Sequence, residues 1–438
     1  MREMKDSRIE WIENVPSDWT LVPLKWIVKF GKGLPITKNN LIEQGVPVVS
    51  YGQIHSKTNS GTHLGKDLIR FVSEKYFQSN PSSLGKKGDI FFADTSEDYA
   101  GVGNAVLVDG DEPVFAGYHT VIVRPIDLLY SKYLAYLFLT DAWRSQLCSR
   151  VSGIKVFSVT QGLLKETTVI LPPAEKIATM TDYLDRKCSQ IDAIIARQQE
   201  VIEKLKAYKL SVISEAVTKG LDPNVPMKDS GVEWIGKIPE HWEFRKIKNC
   251  CDVVDCKNRT PEIIPDGDYI VVRTTCIKDG MFSYNGSYRT DRKNFEEWTA
   301  KGQPQYGDIF FTREAPMGEA CLVPNEDNLC MGQRVMFFRP IHGEDPRFIL
   351  YSIYGPLVRE YIESKNKGST VGHLKLGQVA SLPLLYCAPE EQKKIANYLD
   401  EKCKAINELI SCKQEVVGKL QQYKKSLIYE VVTGKKEV

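Results

Sequence analysis

Gly88-Asp89-Ile90-Phe91-Phe92 is written a second time as Gly307-Asp308-Ile309-Phe310-Phe311, 219 residues further along the chain. Outward from this pair the doubling continues in both directions. Upstream, Lys5-Asp6-Ser7, Glu10-Trp11-Ile12, Pro16 and Trp19 return as Lys228-Asp229-Ser230, Glu233-Trp234-Ile235, Pro239 and Trp242 at an offset of 223. Downstream the register settles at 215, with Gly117 onto Gly332, Arg124-Pro125 onto Arg339-Pro340, Tyr183-Leu184-Asp185 onto Tyr398-Leu399-Asp400, and Lys187-Cys188 onto Lys402-Cys403. Two four-residue deletions account for the drift. A period of about half the chain is far longer than the roughly 20–50 residues of a solenoid repeat, so each copy is large enough to be a domain with an appendage. The second copy stops at Gly434-Lys435-Lys436, where the first runs into its linker Asp222-Pro223-Asn224-Val225-Pro226, so the two ends would join in register on a circle. A pseudo-twofold internal duplication is the natural expectation.

Within each copy the character of the sequence changes at Pro172-Pro173 and at Ala388-Pro389. Before these points, β-branched and aromatic runs alternate with Gly, Pro, Asn and Asp, and residues 46–50, 90–93, 120–123, 269–273, 309–312 and 335–338 read as strands. Residues 132–146 and 346–360 read as helices packed on the sheet. After Pro173 no proline or glycine occurs until Gly220. Apolar residues there fall at Ile177, Met180, Leu184, Ile191, Ile194, Ile202, Leu205, Tyr208, Val212 and Ala216, with Lys187 and Gln198 filling missed positions of a heptad-like stripe. The second copy matches it at Ile395, Leu399, Ile406, Leu409, Val417, Leu420, Tyr423, Leu427 and Val431. A helix from Ala174 to Val217 would span at most ~66 Å at ~1.5 Å per residue. Such a helix can be one layer of a larger core, but two helices sharing one stripe pattern favour each other as partners, antiparallel and coiled. The expected fold is therefore α+β: two tandem mixed α/β domains, 1–173 and 221–387 (with a linker at 221–229), and two long helical spacers, 174–220 and 388–438.

With 438 residues, 42% hydrophobic and 26% charged, the chain can bury a core, which excludes a disordered tail, a collagen-like repeat and a disulfide-stapled miniprotein. The formal charge of +2 gives no bulk argument for nucleic acid or an anionic membrane, so any such claim rests on local organisation. No run of ~18 uncharged apolar residues appears and no apolar run follows the first residues, which reads as a soluble protein without an export signal. Eleven cysteines, an odd number with no CxxC pair, fit a reduced cytoplasm.

The chemistry that is missing is informative. No GxxxxGK[ST] loop is present, and Gly31/Gly33 and Gly101/Gly103 form only GxG, too common to mark a nucleotide or methyl-donor site. Leu171-Pro172-Pro173-Ala174 lacks the amide or acid and the aromatic ring of an amino-methyltransferase tetrapeptide. Cys250-Cys251 with Cys256 lacks a second ligand pair at zinc-finger spacing and reads as buried structure, and His55, His63, His119, His241, His342 and His373 never pair as HxH or HExxH. Neither catalytic residues nor a metal site is expected. Trp11, Trp19, Trp234 and Trp242 read as packing anchors rather than base-stacking platforms.

Glu233-Trp234-Ile235-Gly236 with Ile238-Pro239-Glu240-His241-Trp242, the Gly-Asp-Ile-Phe-Phe strand, and Pro389-Glu390-Glu391-Gln392 leading to Ile395-Ala396-Asn397-Tyr398-Leu399-Asp400 are distinctive together. In both copies and in this order they resemble the DNA-specificity subunit of type I restriction-modification systems. The resemblance implies two target-recognition domains, each reading one half of a bipartite, asymmetric DNA site, and helices that fix the gap and dock modification (methyltransferase) subunits, two in number. It implies no cofactor in this chain: S-adenosylmethionine, ATP and magnesium belong to the methyltransferase and to the restriction (translocase and endonuclease) partners. The first helix opens Pro172-Pro173-Ala174-Glu175-Lys176-Ile177, without the Glu-Gln pair of the second, so docking at the two helices need not be equal.

On this reading, affinity comes from lysine and arginine on phosphates and specificity from polar loop residues at base edges. The candidates in the first domain are Thr37, Lys38, Tyr51, Gln53, His55, Lys57, Thr95, Ser96 and Lys155. In the second they are Lys257, Asn258, Arg259, Arg273, Thr274, Arg313, Lys365, Lys367 and His373. Two rival readings are a coiled-coil scaffold presenting two protein-binding modules and a self-contained DNA-modifying enzyme; binding to duplex DNA and activity of the isolated chain discriminate them.

Overall fold

The computed structural model describes residues 3–7, 9, 12–153, 156–366 and 372–438. Trp11, Lys155 and Lys367 lie outside the described residues. The chain divides into two compact units, Met1–Gln198 with Glu415–Val438, and Gln199–Gln414. The boundary falls inside both long helices, Ala174–Lys219 and Pro389–Val432, so each unit holds one globular module and a half of each helix.

The first module carries two four-stranded sheets. One is antiparallel, in the order Ala105–Leu107, Ile90–Ala93, Thr120–Pro125, Val28–Lys32. The other runs Arg70–Val72, Val46–Val49, Val114–Ala116, Leu84–Gly85, with one parallel pairing between Val46–Val49 and Val114–Ala116. The second module repeats this plan: Cys251–Val254, Val335–Pro340, Ile309–Arg313, Met317–Leu322 in one sheet, and Tyr288–Thr290, Tyr269–Val272, Leu329–Met331 in the other, with Tyr269–Val272 and Leu329–Met331 parallel. The duplicated Ile-Phe-Phe strands are buried on both faces, as their continuous apolar run demands. Residues 132–146 and 346–360 each form two helices where one was expected. Thr140 caps a new helix, Asp141–Cys148, by accepting from the Trp143 N–H, and Gly355-Pro356 interrupts the second, since the residue before a proline is driven out of helical conformation.

The long helices begin after Pro172-Pro173 and at Pro389, and glycines with positive φ, Gly220 and Gly434, end them. In the first unit Ile177, Met180, Leu184, Cys188 and Ile191 pack with Leu427, Ile428, Val431 and Val432, and Lys424 bonds Asp192 at 2.7 Å, so the start of one helix meets the end of the other, antiparallel. In the second unit Val212, Ile213, Ala216 and Val217 pack with Ile395, Ala396, Leu399 and Cys403, and Lys209 donates to Asn407 at 3.0 Å, again antiparallel.

Ile177, Met180, Leu184, Ile191, Ile202, Val212 and Ala216, and Ile395, Leu399, Ile406, Leu427 and Val431, are buried as the stripe expects, and at other positions it shifts by one residue. Cys188 is buried where Lys187 was expected, and Ile195 rather than Ile194 packs on the core. Tyr208 is exposed while Lys209 turns inward, and in the other helix Leu409 and Tyr423 are exposed while Ile410 and Lys424 are partly covered. Strict alternation of threes and fours through 184, 188, 191 and 195 predicts this; choosing the most apolar residue near each step does not. The residues left outside form a row of their own. Ile194, Val201 and Tyr208 are 42%, 37% and 57% exposed, and their repeat equivalents Leu409, Val416 and Tyr423 are 51%, 37% and 53% exposed.

Trp19 and Trp242 are buried anchors, but Trp234 is half exposed. Among the described residues no helix is long and apolar enough to cross a membrane.

Candidate nucleic-acid interface

Each module has a rim where the Ile-Phe-Phe strand ends, and the backbone frame there is the same in both units. Asp94 N–H donates to His119 C=O (3.1 Å) as Arg313 N–H does to Arg334 C=O (3.1 Å). Val159 N–H donates to Asp94 C=O (2.7 Å) as Leu374 does to Arg313 (3.0 Å), and Gly117 N–H to Val49 C=O (2.7 Å) as Gly332 does to Val272 (2.8 Å). Three separate stretches of chain are thereby drawn to one edge of each module. His119 (φ 54°) and Arg334 (φ 74°) occupy equivalent left-handed positions, a strained conformation for a side-chain-bearing residue.

On this common frame the side chains differ. Tyr51, Asp94, Thr95, His119 and Ser158 of the first unit stand where Thr274, Arg313, Glu314, Arg334 and His373 stand in the second. In the first unit Tyr51 packs edge-on against Tyr118 (5.6 Å) and His119 (5.3 Å). The Thr95 hydroxyl donates to Asp94 Oδ1 (2.7 Å), and His119 Nδ1 lies 3.2 Å from the same oxygen. His55 has both nitrogens engaged, Nδ1 with Asn104 Nδ2 (3.0 Å) and Nε2 with Thr95 C=O (2.7 Å), so the ring is structural. Arg144 fixes Asn104 from behind by donating to its Oδ1 at 2.8 Å. A cavity of about 330 Å³ opens beside this rim, lined by Lys32, Asp94, His119, Ser158, Thr160 and Gln161 among others.

The sequence candidates divide accordingly. Tyr51, His55, Thr95 and Ser96 are brought together, but Ser96 is buried and donates to Asp98 C=O (2.7 Å). Gln53 accepts from Ser50 N–H (3.2 Å) and Thr37 closes a similar cap with Asn40, so both serve their own turns. Lys38 and Lys57 are exposed. In the second unit Arg313 is no surface group: it is buried, with its guanidinium on Asn258 Oδ1 (2.8 Å) and Asp255 (3.3 Å), and so orders the 255–258 loop. Lys257 and Arg259 both pair with Glu297 and lie 5.0 and 4.9 Å from the Trp298 ring centroid. Arg273 is exposed and donates to Gly286 C=O (3.4 Å), Thr274 sits beside it, and His373 Nδ1 is 3.2 Å from Glu314. Lys365 stands apart, over the Tyr361 ring.

Sequence reasoning passed over His119, Tyr118, Asn104, Glu314, Gln333 and Arg334. The signal was present in the repeat: Gly117 aligns with Gly332, and the residues two places after it, His119 and Arg334, differ within an otherwise shared frame. Among the described residues no group of three or more His, Cys, Asp or Glu side chains could hold a metal ion.

The family model for the type I restriction modification DNA specificity domain matches residues 16–204 and again residues 239–417. The chain belongs to this family. It is 23% identical over 439 residues to the MjaVIII type I restriction enzyme specificity subunit of Methanocaldococcus jannaschii, covering 96% of this chain and 93% of that one. It is 19% identical over 414 residues to the EcoBI specificity subunit of Escherichia coli, covering 91% and 82%. A solved structure described as the basis of complex assembly and conformational transition of the type I R-M system superposes with a TM-score of 0.68 at 17% identity, over 95% of this chain and 98% of that one. As a specificity subunit, the protein recognises DNA sequence through two tandem domains and is not itself a catalyst.

Proposed function

We propose that the two modules, 1–173 and 221–387, each read one half of a split, non-palindromic DNA site. The observation that carries this is the rim itself, one backbone frame presenting two different side-chain sets: identical frames dock alike on the duplex, and unlike side chains select unlike bases.

The long helices, 174–220 and 388–438, are inferred to form an antiparallel coiled coil with pseudo-twofold symmetry. The threes-and-fours spacing and the antiparallel pairing within each unit support this reading. A stiff spacer of this kind counts the gap between half-sites without reading it, much as half-site spacing follows protein geometry in other DNA-binding assemblies. The exposed rows Ile194, Val201, Tyr208 and Leu409, Val416, Tyr423 are the proposed seats of two methyltransferase subunits, because apolar residues at every seventh position are what a partner helix covers. S-adenosylmethionine, ATP and magnesium then act on the methyltransferase and on the translocase and endonuclease partner, and the complex works in the cytoplasm.

The test is to co-express the chain with its methyltransferase and map methylation across a genome. A motif of two unlike halves around a fixed unread gap supports the reading; a palindromic or continuous motif overturns it.

A further inference from the structure

At the second rim, Arg334 is fixed at its backbone and open at its tip. Its carbonyl accepts from Arg313 N–H (3.1 Å) and its own N–H donates to Cys256 Sγ (3.2 Å), so the left-handed conformation is held from both sides. Its Nε lies 3.0 Å from Glu314 Oε2, the oxygen that also meets His373 Nδ1, and the Glu314 side chain is only 17% exposed. The Arg334 side chain is 43% exposed, and its two terminal amino groups donate no hydrogen bond among the described residues.

We propose that Arg334 reads a guanine, placing Nη1 and Nη2 on O6 and N7 in the major groove of the half-site taken by the second module, with Glu314 as the positioning residue that holds the guanidinium at the rim through its ion pair with Nε. This rests on the DNA-reading function proposed above. The planar fork of an arginine matches the two acceptors of guanine, and an ion pair at Nε leaves both terminal amino groups for them. A phosphate contact is disfavoured here, because Glu314 beside the guanidinium cancels its charge toward an anion while leaving its donors directed. In the first unit His119 and Thr95 hold the equivalent places, so that module presents a different pattern at the same point of its half-site.

The experiment uses the full chain in complex with its methyltransferase, carrying Arg334→Ala, Arg334→Lys, Arg334→Gly or Glu314→Gln, with methylation mapping and binding to duplexes altered at single positions. In the wild type, replacing the guanine with adenine weakens binding roughly tenfold to a hundredfold. In Arg334→Ala and Arg334→Lys that discrimination disappears, the guanine becomes degenerate in the mapped motif, and the other half-site is unchanged. Glu314→Gln loosens the same position only. Arg334→Gly relaxes the same base, and because glycine accepts the left-handed backbone without strain it offsets part of what Glu314 loses with its partner, so its Tm stands above that of Arg334→Ala while the base relaxes equally, which separates reading from folding. An unchanged motif, an even loss of methylation at all sites, or relaxation at a base other than guanine overturns the assignment. A wild-type complex that methylates no split motif overturns the functional reading as well, before any substitution is compared.

Discussion

Arg124 grips Asp89 through Nε (2.9 and 3.0 Å) and Nη2 (2.7 Å) and donates on to Leu84 C=O, and Arg339 does the same to Asp308 and Gln303 C=O. Both carboxylates are almost fully buried at the head of the duplicated Ile-Phe-Phe strand, and their hydrogen bonds hold the arginines above their usual pKa. Arg124→Ala strands the Asp89 charge. Removing one partner of a fully buried pair costs about 3–5 kcal/mol; Arg124 is a third exposed and Lys86 N–H still bonds Asp89, so about 2–3 kcal/mol is expected, read by chemical denaturation. The cysteines give a second expectation. Nine are buried and Cys412 is exposed; burial pushes the Cys250 thiol up to about 11 and the Cys321 and Cys330 thiols up to about 12. Iodoacetamide at pH 8 therefore labels Cys412 in the folded chain and spares these three until denaturant is added, as peptide mass spectrometry will show.

Each long helix carries two apolar rows with opposite fates. The inner row is saturated: Leu184 and Leu399 are wholly buried, and Tyr136 and Tyr351 tie each module to its helix by donating to Asp185 (2.6 Å) and Asp400 (2.8 Å). Leu184→Ala and Leu399→Ala should each cost about 2–5 kcal/mol, while Ile194→Ala on the outer row should stay within about 0.5 kcal/mol, by denaturant midpoint. Substituting the outer row has a different signature. Val201→Asp with Tyr208→Asp, or Val416→Asp with Tyr423→Asp, leaves Tm nearly unchanged but removes one methyltransferase copy from the co-purified complex, measured by its mass in solution. Loss of neither copy rejects the docking row.

For the molecule as a whole, the expectation concerns length. Seven residues added within each long helix restore the same face and lengthen it by about 10.5 Å, close to three base pairs at about 3.4 Å each. Methylation mapping should return the same two half-sites with a gap longer by about three. A changed half-site sequence, or an unchanged gap, rejects the spacer role.

Reading the chain twice was enough to recover the duplication, the alternation of strand-rich module and long helix, and the central strands, because repetition and periodicity are carried by residue order. It also located the loops of the rim at Tyr51, Thr95, Asn258 and His373. Burial and partnership lay outside its reach. That Arg313 is an interior brace, that His55 has both nitrogens spent, that Trp234 faces solvent while Trp242 is enclosed, and that Ile195 rather than Ile194 faces inward all depend on which distant segments close over a residue. Arg334 and His119 share an aligned place in the repeat, but that both stand at the rim was decided by the fold, which sets Arg313 N–H against one carbonyl and Asp94 N–H against the other. Local pattern dictates elements because neighbours along the chain share dihedral preferences, whereas a side chain's accessible chemistry is set by groups a hundred residues away, brought near by packing alone.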